Sequence, residues 1–255
     1  MDYFRCNLHT DQRTLRYNAS CQVDYLARAT DERGCKLRHE YILSNTLAPL
    51  TLVGAGFVTS SAFLSWLIYS LVTYPGQQDR LLQELVNYGA TLDKKWSYDE
   101  IQAMLFLDAF VKETQRMHSP SFQPARHAKK DVVLPGGWAL PQGSILIPSI
   151  PHLHRHAAYR DNADRFDADR WVTEGVGNRH RSVYVPFAAG ARGCIGFNVA
   201  LQEVKVALAE LVYRYDFVNA TDEAIEYDPD FIVIRPLNFY VRAIRRSSWP
   251  ARSSA

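Results

Sequence analysis

Cysteine is scarce in this chain, and what there is builds no framework. The four cysteines, at positions 6, 21, 35 and 194, form no C-x-x-C pair and no dense pattern. That excludes a small disulfide-stapled fold and suits a reducing compartment. Together with His9, Cys6, Cys21 and Cys35 also lack the spacing of a zinc finger. Charge of either sign is not in excess: the net value is +2 over 255 residues, which implies no polyelectrolyte partner. Arg242, Arg245, Arg246 and Arg252 lack the aromatic interleaving of a nucleic-acid surface and read as a solvated, loose tail. Met1-Asp2-Tyr3-Phe4-Arg5 has no apolar segment behind it and reads as neither signal peptide nor membrane anchor. There is no internal repeat, no low-complexity segment and no stretch with the composition of an interdomain linker.

The most extended absence is of charge between Tyr41 and Gln78, 38 residues without an acidic or basic side chain. Within it, Leu47 to Tyr74 is long enough to span a bilayer. Thr59, Ser60, Ser61 and Ser65 interrupt its middle, beside Gly54 and Gly56, so the buried central helix of a soluble protein accounts for it equally well. The overall composition, 47% hydrophobic and 22% charged, is that of an ordinary globular protein able to bury a sizeable core.

The sequence predicts a mainly helical α+β chain. Residues 1–20 read as irregular, and Cys21 to Ala29 as a short helix before the turn-like Asp31-Glu32-Arg33-Gly34. A long helix is expected from Leu37 to Tyr74, broken at Pro49. After Pro75, Leu81, Leu82, Leu85 and Val86 recur on one helical face, which Gly89 closes. Ser97-Tyr98-Asp99-Glu100 is a capping box for a helix expected to run to Met117. Short strand-like runs follow at Val132-Val133-Leu134 and Ile145-Leu146-Ile147, then a mixed stretch over 150–186. Gly193 to Tyr215 reads as a helix and Phe231 to Ile244 as strands. His152, His154 and His156 alternate, as metal ligands on one strand face would, but no carboxylate or cysteine cluster joins them.

One segment carries chemistry. Phe187-Ala188-Ala189-Gly190-Ala191-Arg192-Gly193-Cys194-Ile195-Gly196 places an aromatic, three glycines and an arginine around a single cysteine. The glycines let the backbone close around the sulfur. The helix that follows points its positive end at that sulfur and favours thiolate over thiol. A thiolate held this way is suited to iron, and haem iron held by cysteine thiolate activates dioxygen.

The segment resembles the haem-binding loop of the cytochrome P-450 family, F-x-x-G-x-R-x-C-x-G, at all five fixed positions. The resemblance extends over residues 21–245. Glu113 and Arg116, three apart on one helix and followed by Met117-His118-Ser119-Pro120, match the family's E-x-x-R, with Gln115 where leucine is often found. Arg170, in Phe166-Asp167-Ala168-Asp169-Arg170-Trp171, matches the arginine that completes a buried structural triad in the family. Ala55-Gly56-Phe57-Val58-Thr59 resembles the oxygen-activating motif, with Val58 in place of the usual acid.

The resemblance implies the C-terminal portion of the family fold, with a long central helix plus small β-sheets and the N-terminal half absent. Residues 1–255 would then form a single truncated domain of fungal type, with the charge-free helix buried at its centre. It also implies haem b (iron protoporphyrin IX) bound through Cys194 as the iron's axial ligand. Phe187, Gly190 and Gly196 would shape the loop, Arg192 and Arg126 hold the propionates, and Thr59 with Gly56 handle oxygen. The implied activity is monooxygenation of a small organic substrate with dioxygen and an NADPH-dependent reductase as electron donor, without nucleic acid. For a full-length parent the resemblance implies the cytosolic face of the endoplasmic reticulum membrane as the place of action, reached through the family's anchor, a segment expected to be absent from this sequence. Two alternatives remain open: a non-catalytic remnant, and a haem-thiolate isomerase or dehydratase, which would not need the acid missing at Val58.

Overall fold

A computed structural model describes residues 4–6, 22–31, 33–46, 48–121, 124–173, 180–228 and 233–253. Its elements fall into two compact units, 1–57 and 58–255.

In the first unit, β1 (Phe4–Cys6) pairs antiparallel with β2 (Cys35–Leu37), Cys6 opposite Cys35. Between them lies α1 (Gln22–Arg28), and α2 (His39–Thr46) follows. The Asp31 carboxylate accepts the N–H groups of Arg33 and Cys35, both at 2.9 Å, and Gly34 turns at φ +75°, which makes the expected turn. Two expectations fail here. Phe4–Cys6 is a strand where an irregular segment was expected, the rest of 1–20 lying outside the described residues. Cys35 is disulfide-bonded rather than a reduced thiol, a pairing that the scattered cysteine spacing does not signal.

The charge-free segment is carried by α2 and α3 (Ala48–Thr73), residue 47 lying outside the described residues, and α3 runs through Pro49 without the expected break there. Pro49 falls in the first turn of α3, where its missing N–H has no intrahelical partner to lose. Residues 51–73 are apolar and long enough to cross a membrane by length and composition. Burial divides the helix: Leu52, Val53 and Phe57 are exposed, whereas Phe63, Trp66, Leu67 and Leu71 enter the core of the second unit. The expected all-round burial therefore holds for one face of the C-terminal half only.

The second unit is built on α4 (Gln77–Asn87), α5 (Tyr98–Ala103), α6 (Leu105–Met117) and α8 (Phe197–Arg214), with α4, α6 and α8 packed on one another. Leu81, Leu82, Leu85 and Val86 form the buried face of α4. The helix closes as Ala90 N–H and Gly89 N–H reach back to the carbonyls of Leu85 and Val86, with Gly89 at φ +79°. Ser97 and Glu100 make the capping box of α5. The single helix expected from Ser97 to Met117 is broken at Met104, whose side chain is fully buried with ψ at 102°. The break has a tertiary cause. Glu84 of α4 accepts the N–H groups of Phe106 (2.7 Å) and Leu107 (2.8 Å), capping the second segment from outside.

Small antiparallel sheets complete the unit. β3 (Arg126–His127) pairs with β6 (Ile145–Leu146), and β4 (Val132–Leu134) with β5 (Trp138–Leu140) across the Pro135-Gly136-Gly137 turn. α7 (Ile150–Arg155) follows. β7 (Tyr215–Asn219) pairs with β10 (Val241–Arg245), and β8 (Glu226–Tyr227) with β9 (Pro236–Leu237). Residues 231–232 of the strand region expected over 231–244 are outside the described residues. The C-terminal residues are tied down, contrary to the expected loose tail. Arg246 donates to the carbonyls of Val212 and Tyr215, Trp249 to that of Tyr213, and Arg252 to that of Val86. These arginines satisfy backbone carbonyls at element ends, a role that composition does not reveal.

Candidate functional site

The site starts from a buried carboxylate. Helical spacing puts Glu113 and Arg116 on one face of α6, and their side chains pair bidentately, both bonds at 2.8 Å, with no exposure on either side. A 3-10 turn at Ala168–Trp171, capped by the Asp167 carboxylate, delivers the third member: Arg170 Nε donates to Glu113 Oε1 at 2.9 Å. Two donors that sequence reasoning missed, Trp171 Nε1 (2.9 Å) and Asp167 N–H (2.8 Å), fill the remaining carboxylate positions. The outer guanidinium nitrogens of Arg116 and Arg170 donate to carbonyls of residues 154–165. Burial pushes the Glu113 carboxyl up, but the Arg116 hydrogen bonds, both guanidinium charges and Asp167 N–H outweigh it and hold it below the usual carboxylate range. Every polar atom of Glu113 is satisfied, the condition for tolerating buried charge.

Against this network lies the segment leading into the cysteine loop, which follows a 3-10 turn at Arg181–Val183. The Tyr184 ring packs on Trp171 (4.5 Å between centroids) and His154 (5.1 Å), and its hydroxyl reaches Lys112 O and Gln115 Oε1 on α6. Val185 N–H donates to His154 Nε2 at 3.0 Å. The alternating histidines lie on no strand face: His152 and His154 belong to α7 and His156 follows it. The fold buries His154 and leaves His152 and His156 exposed, their rings 5.2 Å apart edge to face. Burial, helped by the charges of Arg160 and Arg116, pushes His154 down to about 3, so it is a neutral acceptor at ordinary pH. No group of three or more His, Cys, Asp or Glu able to hold a metal ion exists among the described residues.

The loop itself is stitched by its backbone. Ala188 N–H bonds Val185 O (3.0 Å), Gly193 N–H bonds Gly190 O (2.9 Å) and Cys194 N–H bonds Phe187 O (2.9 Å). Gly190 sits at φ +76°, where a side chain would be strained, and a Cβ on Gly193 would stand 3.2 Å from Gly190 O. Gly196 is the N-cap of α8, and a Cβ built on it would stand 4.0 Å from Cys194 Sγ. Cys194 is a free, exposed thiol immediately before the N-terminus of α8.

Of the expected site residues, Thr59 and Phe187 line one cavity and Arg126 another. Thr59 and Ser60 of α3 line a cavity of about 30 Å³ with Phe187 of the loop, Gln115 and Pro120, and Ala200 of α8. Arg126 lines another, of about 390 Å³, with Val185, Ala188 and Ala189 of the loop. The exposed Arg126 guanidinium is turned back on the Pro124 and Ala125 carbonyls. Arg192 is exposed on the 3-10 turn Gly190–Arg192, without a hydrogen bond or ion pair among the described residues. Gly56 lies one helical turn before Thr59 on α3, and a side chain added there would meet nothing within 4 Å. Among the described residues, a free thiol, two arginines without a carboxylate partner and a glycine-built loop fit a flat dianionic iron porphyrin.

Comparison with known proteins shows the family of the chain. The family described as Cytochrome P450 matches residues 5–243. Cytochrome P450 monooxygenase alnD of Emericella nidulans is 82% identical over 240 residues, covering 94% of this chain and 43% of that protein. Human cytochrome P450 4F2 is 32% identical over 194 residues, 76% of this chain and 37% of that one. The crystal structure of the cytochrome P450DA heme domain, in a mutant form, superposes with a TM-score of 0.78 at 30% identity, over 88% of this chain and 50% of its own. The chain thus spans about two fifths of the length of the curated relatives it matches. It belongs to the cytochrome P450 family, with the family's helical fold and small sheets.

Proposed function

We propose that this chain carries the haem-thiolate half-site of a monooxygenase that inserts one atom of dioxygen into a small organic substrate, drawing electrons from an NADPH-dependent reductase. Haem b bound at Cys194 would supply the dioxygen-activating centre. The observation that carries this reading is the free Cys194 thiol at the end of a loop whose Phe187 shares a cavity with Thr59.

The remaining roles belong to the chain's own side chains. Arg126 and Arg192 would pair with the two propionates, matching planar carboxylates with planar guanidinium forks. Phe187, Gly190 and Gly196 would set the loop's shape ahead of the first turn of α8. The Thr59 hydroxyl would hold a proton at the cavity it shares with Phe187, and Gly56 would leave space on the same helix. Glu113, Arg116 and Arg170 hold the segment before the loop and take no part in the chemistry. By resemblance to the family, the site of action is the cytosolic face of the endoplasmic reticulum membrane.

Val58 favours a second reading, a haem-thiolate isomerase or dehydratase acting on an already oxidised substrate, because such a reaction needs no acid beside Thr59. Heavy-isotope dioxygen separates the two. With NADPH and a reductase, a panel of small organic substrates should yield products carrying one labelled oxygen. Unlabelled product formed without NADPH would overturn the monooxygenase reading.

A further inference from the structure

Gln115 is the position at which α6 departs from the leucine often found in the family motif, and the departure places an amide inside the protein. The residue is 3% exposed, between Thr114 and Arg116, both also buried. Its Oε1 accepts from the Tyr184 hydroxyl at 3.1 Å, and the same hydroxyl lies 3.2 Å from the Lys112 carbonyl one turn earlier on α6. Burial holds Tyr184 well above its ordinary pKa, so the phenol keeps the proton that this shared bond requires. Tyr184 is the third residue before Phe187, the first fixed position of the cysteine loop. Between them, Val185 O accepts from Ala188, and Phe187 O accepts from Cys194. Gln115 also lines the cavity that Thr59 shares with Phe187.

We infer that Gln115 is a positioning residue for the cysteine loop, fixing through the Tyr184 hydroxyl where residues 185–194 stand against α6. A leucine would fill the volume but accept nothing, leaving the part-buried Tyr184 hydroxyl to a single acceptor. His154, through Val185 N–H, fixes the same segment from α7, so the loop entrance is held from two helices and only one of the holds depends on residue 115. The significance of this hold for the iron rests on the haem-thiolate reading; the tether itself does not.

The test is a double-substitution cycle in the full chain, with Gln115→Leu, Tyr184→Phe and the pair, read by amide hydrogen exchange. Each single variant should speed exchange across 185–194 by roughly tenfold, the worth of about one net hydrogen bond. Exchange within α8 and at 161–171 should stay unchanged, and the pair should be no faster than either single variant. Unchanged exchange in Gln115→Leu, or single effects that multiply in the pair, would overturn the tether. Carbon monoxide spectra of the reduced, haem-loaded proteins read its consequence at the iron. Gln115→Leu should shift intensity from the red-shifted Soret band to the unshifted one, and a loosened loop with an unaltered spectrum would overturn the positioning role. A wild-type protein without the red-shifted band would instead sink the haem-thiolate reading, with the exchange result still deciding the tether.

Discussion

Arg170→Ala is the perturbation on which the structure places the largest expected cost. The guanidinium donates to Glu113 Oε1 (2.9 Å) and to the carbonyls of Asp161 (3.2 Å), Asn162 (3.3 Å) and Arg165 (3.0 Å), with 8% of the side chain exposed. Its removal strips half the positive charge facing the Glu113 carboxylate and opens a void beside Trp171. Breaking a buried ion pair by removing one partner costs about 3–5 kcal/mol. A typical domain has roughly 5–15 kcal/mol in all. For a unit of this size the melting temperature should fall by roughly 6–20 °C. Because the same side chain pins residues 161–165 below the loop entrance, haem incorporation should fail with it. Arg165→Ala is the control: that side chain is 72% exposed and 4.0 Å from Asp167, so its loss should cost under about 0.5 kcal/mol. The assay is thermal unfolding with haem stoichiometry for both variants beside the wild type. Arg170→Ala melting within about 1 kcal/mol of the wild type would refute the structural role. Normal haem content with slow turnover would give Arg170 a chemical one.

Further outcomes follow from the same packing. Glu84→Ala should destabilise by about 1–2 kcal/mol in denaturant unfolding, because two N–H groups at the start of α6 lose their acceptor; a neutral result would mean that water caps them as well. His118 and His154 are both pushed down to about 3, chiefly by burial, and so fold as neutral rings. The unfolded chain binds protons there first, so stability should be full above about pH 6.5 and fall as pH drops toward 3. A melting profile flat across that window would contradict their burial. Residues 1–255 expressed alone should associate or aggregate, since Val53, Phe57, Ile195 and Val199 each stand more than 70% exposed. A monomer on gel filtration with a sharp melt and stoichiometric haem would contradict this.

What could be read from the sequence was what neighbouring residues decide among themselves. The cysteine loop is contiguous, and its glycines and cysteine are related by turn geometry alone. The same holds for the Ser97–Glu100 capping box, the Gly89 helix stop and the i, i+3 pairing of Glu113 with Arg116. Features made by distant residues were not legible. The break at Met104 depends on Glu84, a residue from the preceding helix, and nothing between 97 and 117 signals it. Trp171 and Asp167 complete the Glu113 carboxylate only because the 3-10 turn aims them, and Gln115 gains its meaning from Tyr184, 69 residues later. The docking of Trp249 and Arg252 against Tyr213 and Val86 likewise needs the fold before it can be seen. Uniform lack of charge in α3 concealed that only one face of its second half enters the core.

The central claim is that Cys194 is the sulfur that would hold iron. It is a free thiol, set before α8 in a loop closed by its own N–H bond to Phe187 O. The direct measurement is the carbon monoxide spectrum of the reduced, haem-loaded protein beside its Cys194→Ser variant. The account predicts a red-shifted Soret band in the wild type and its complete loss in the variant, whose hydroxyl stays protonated and cannot replace the thiolate. A red-shifted band that survives Cys194→Ser would contradict the account.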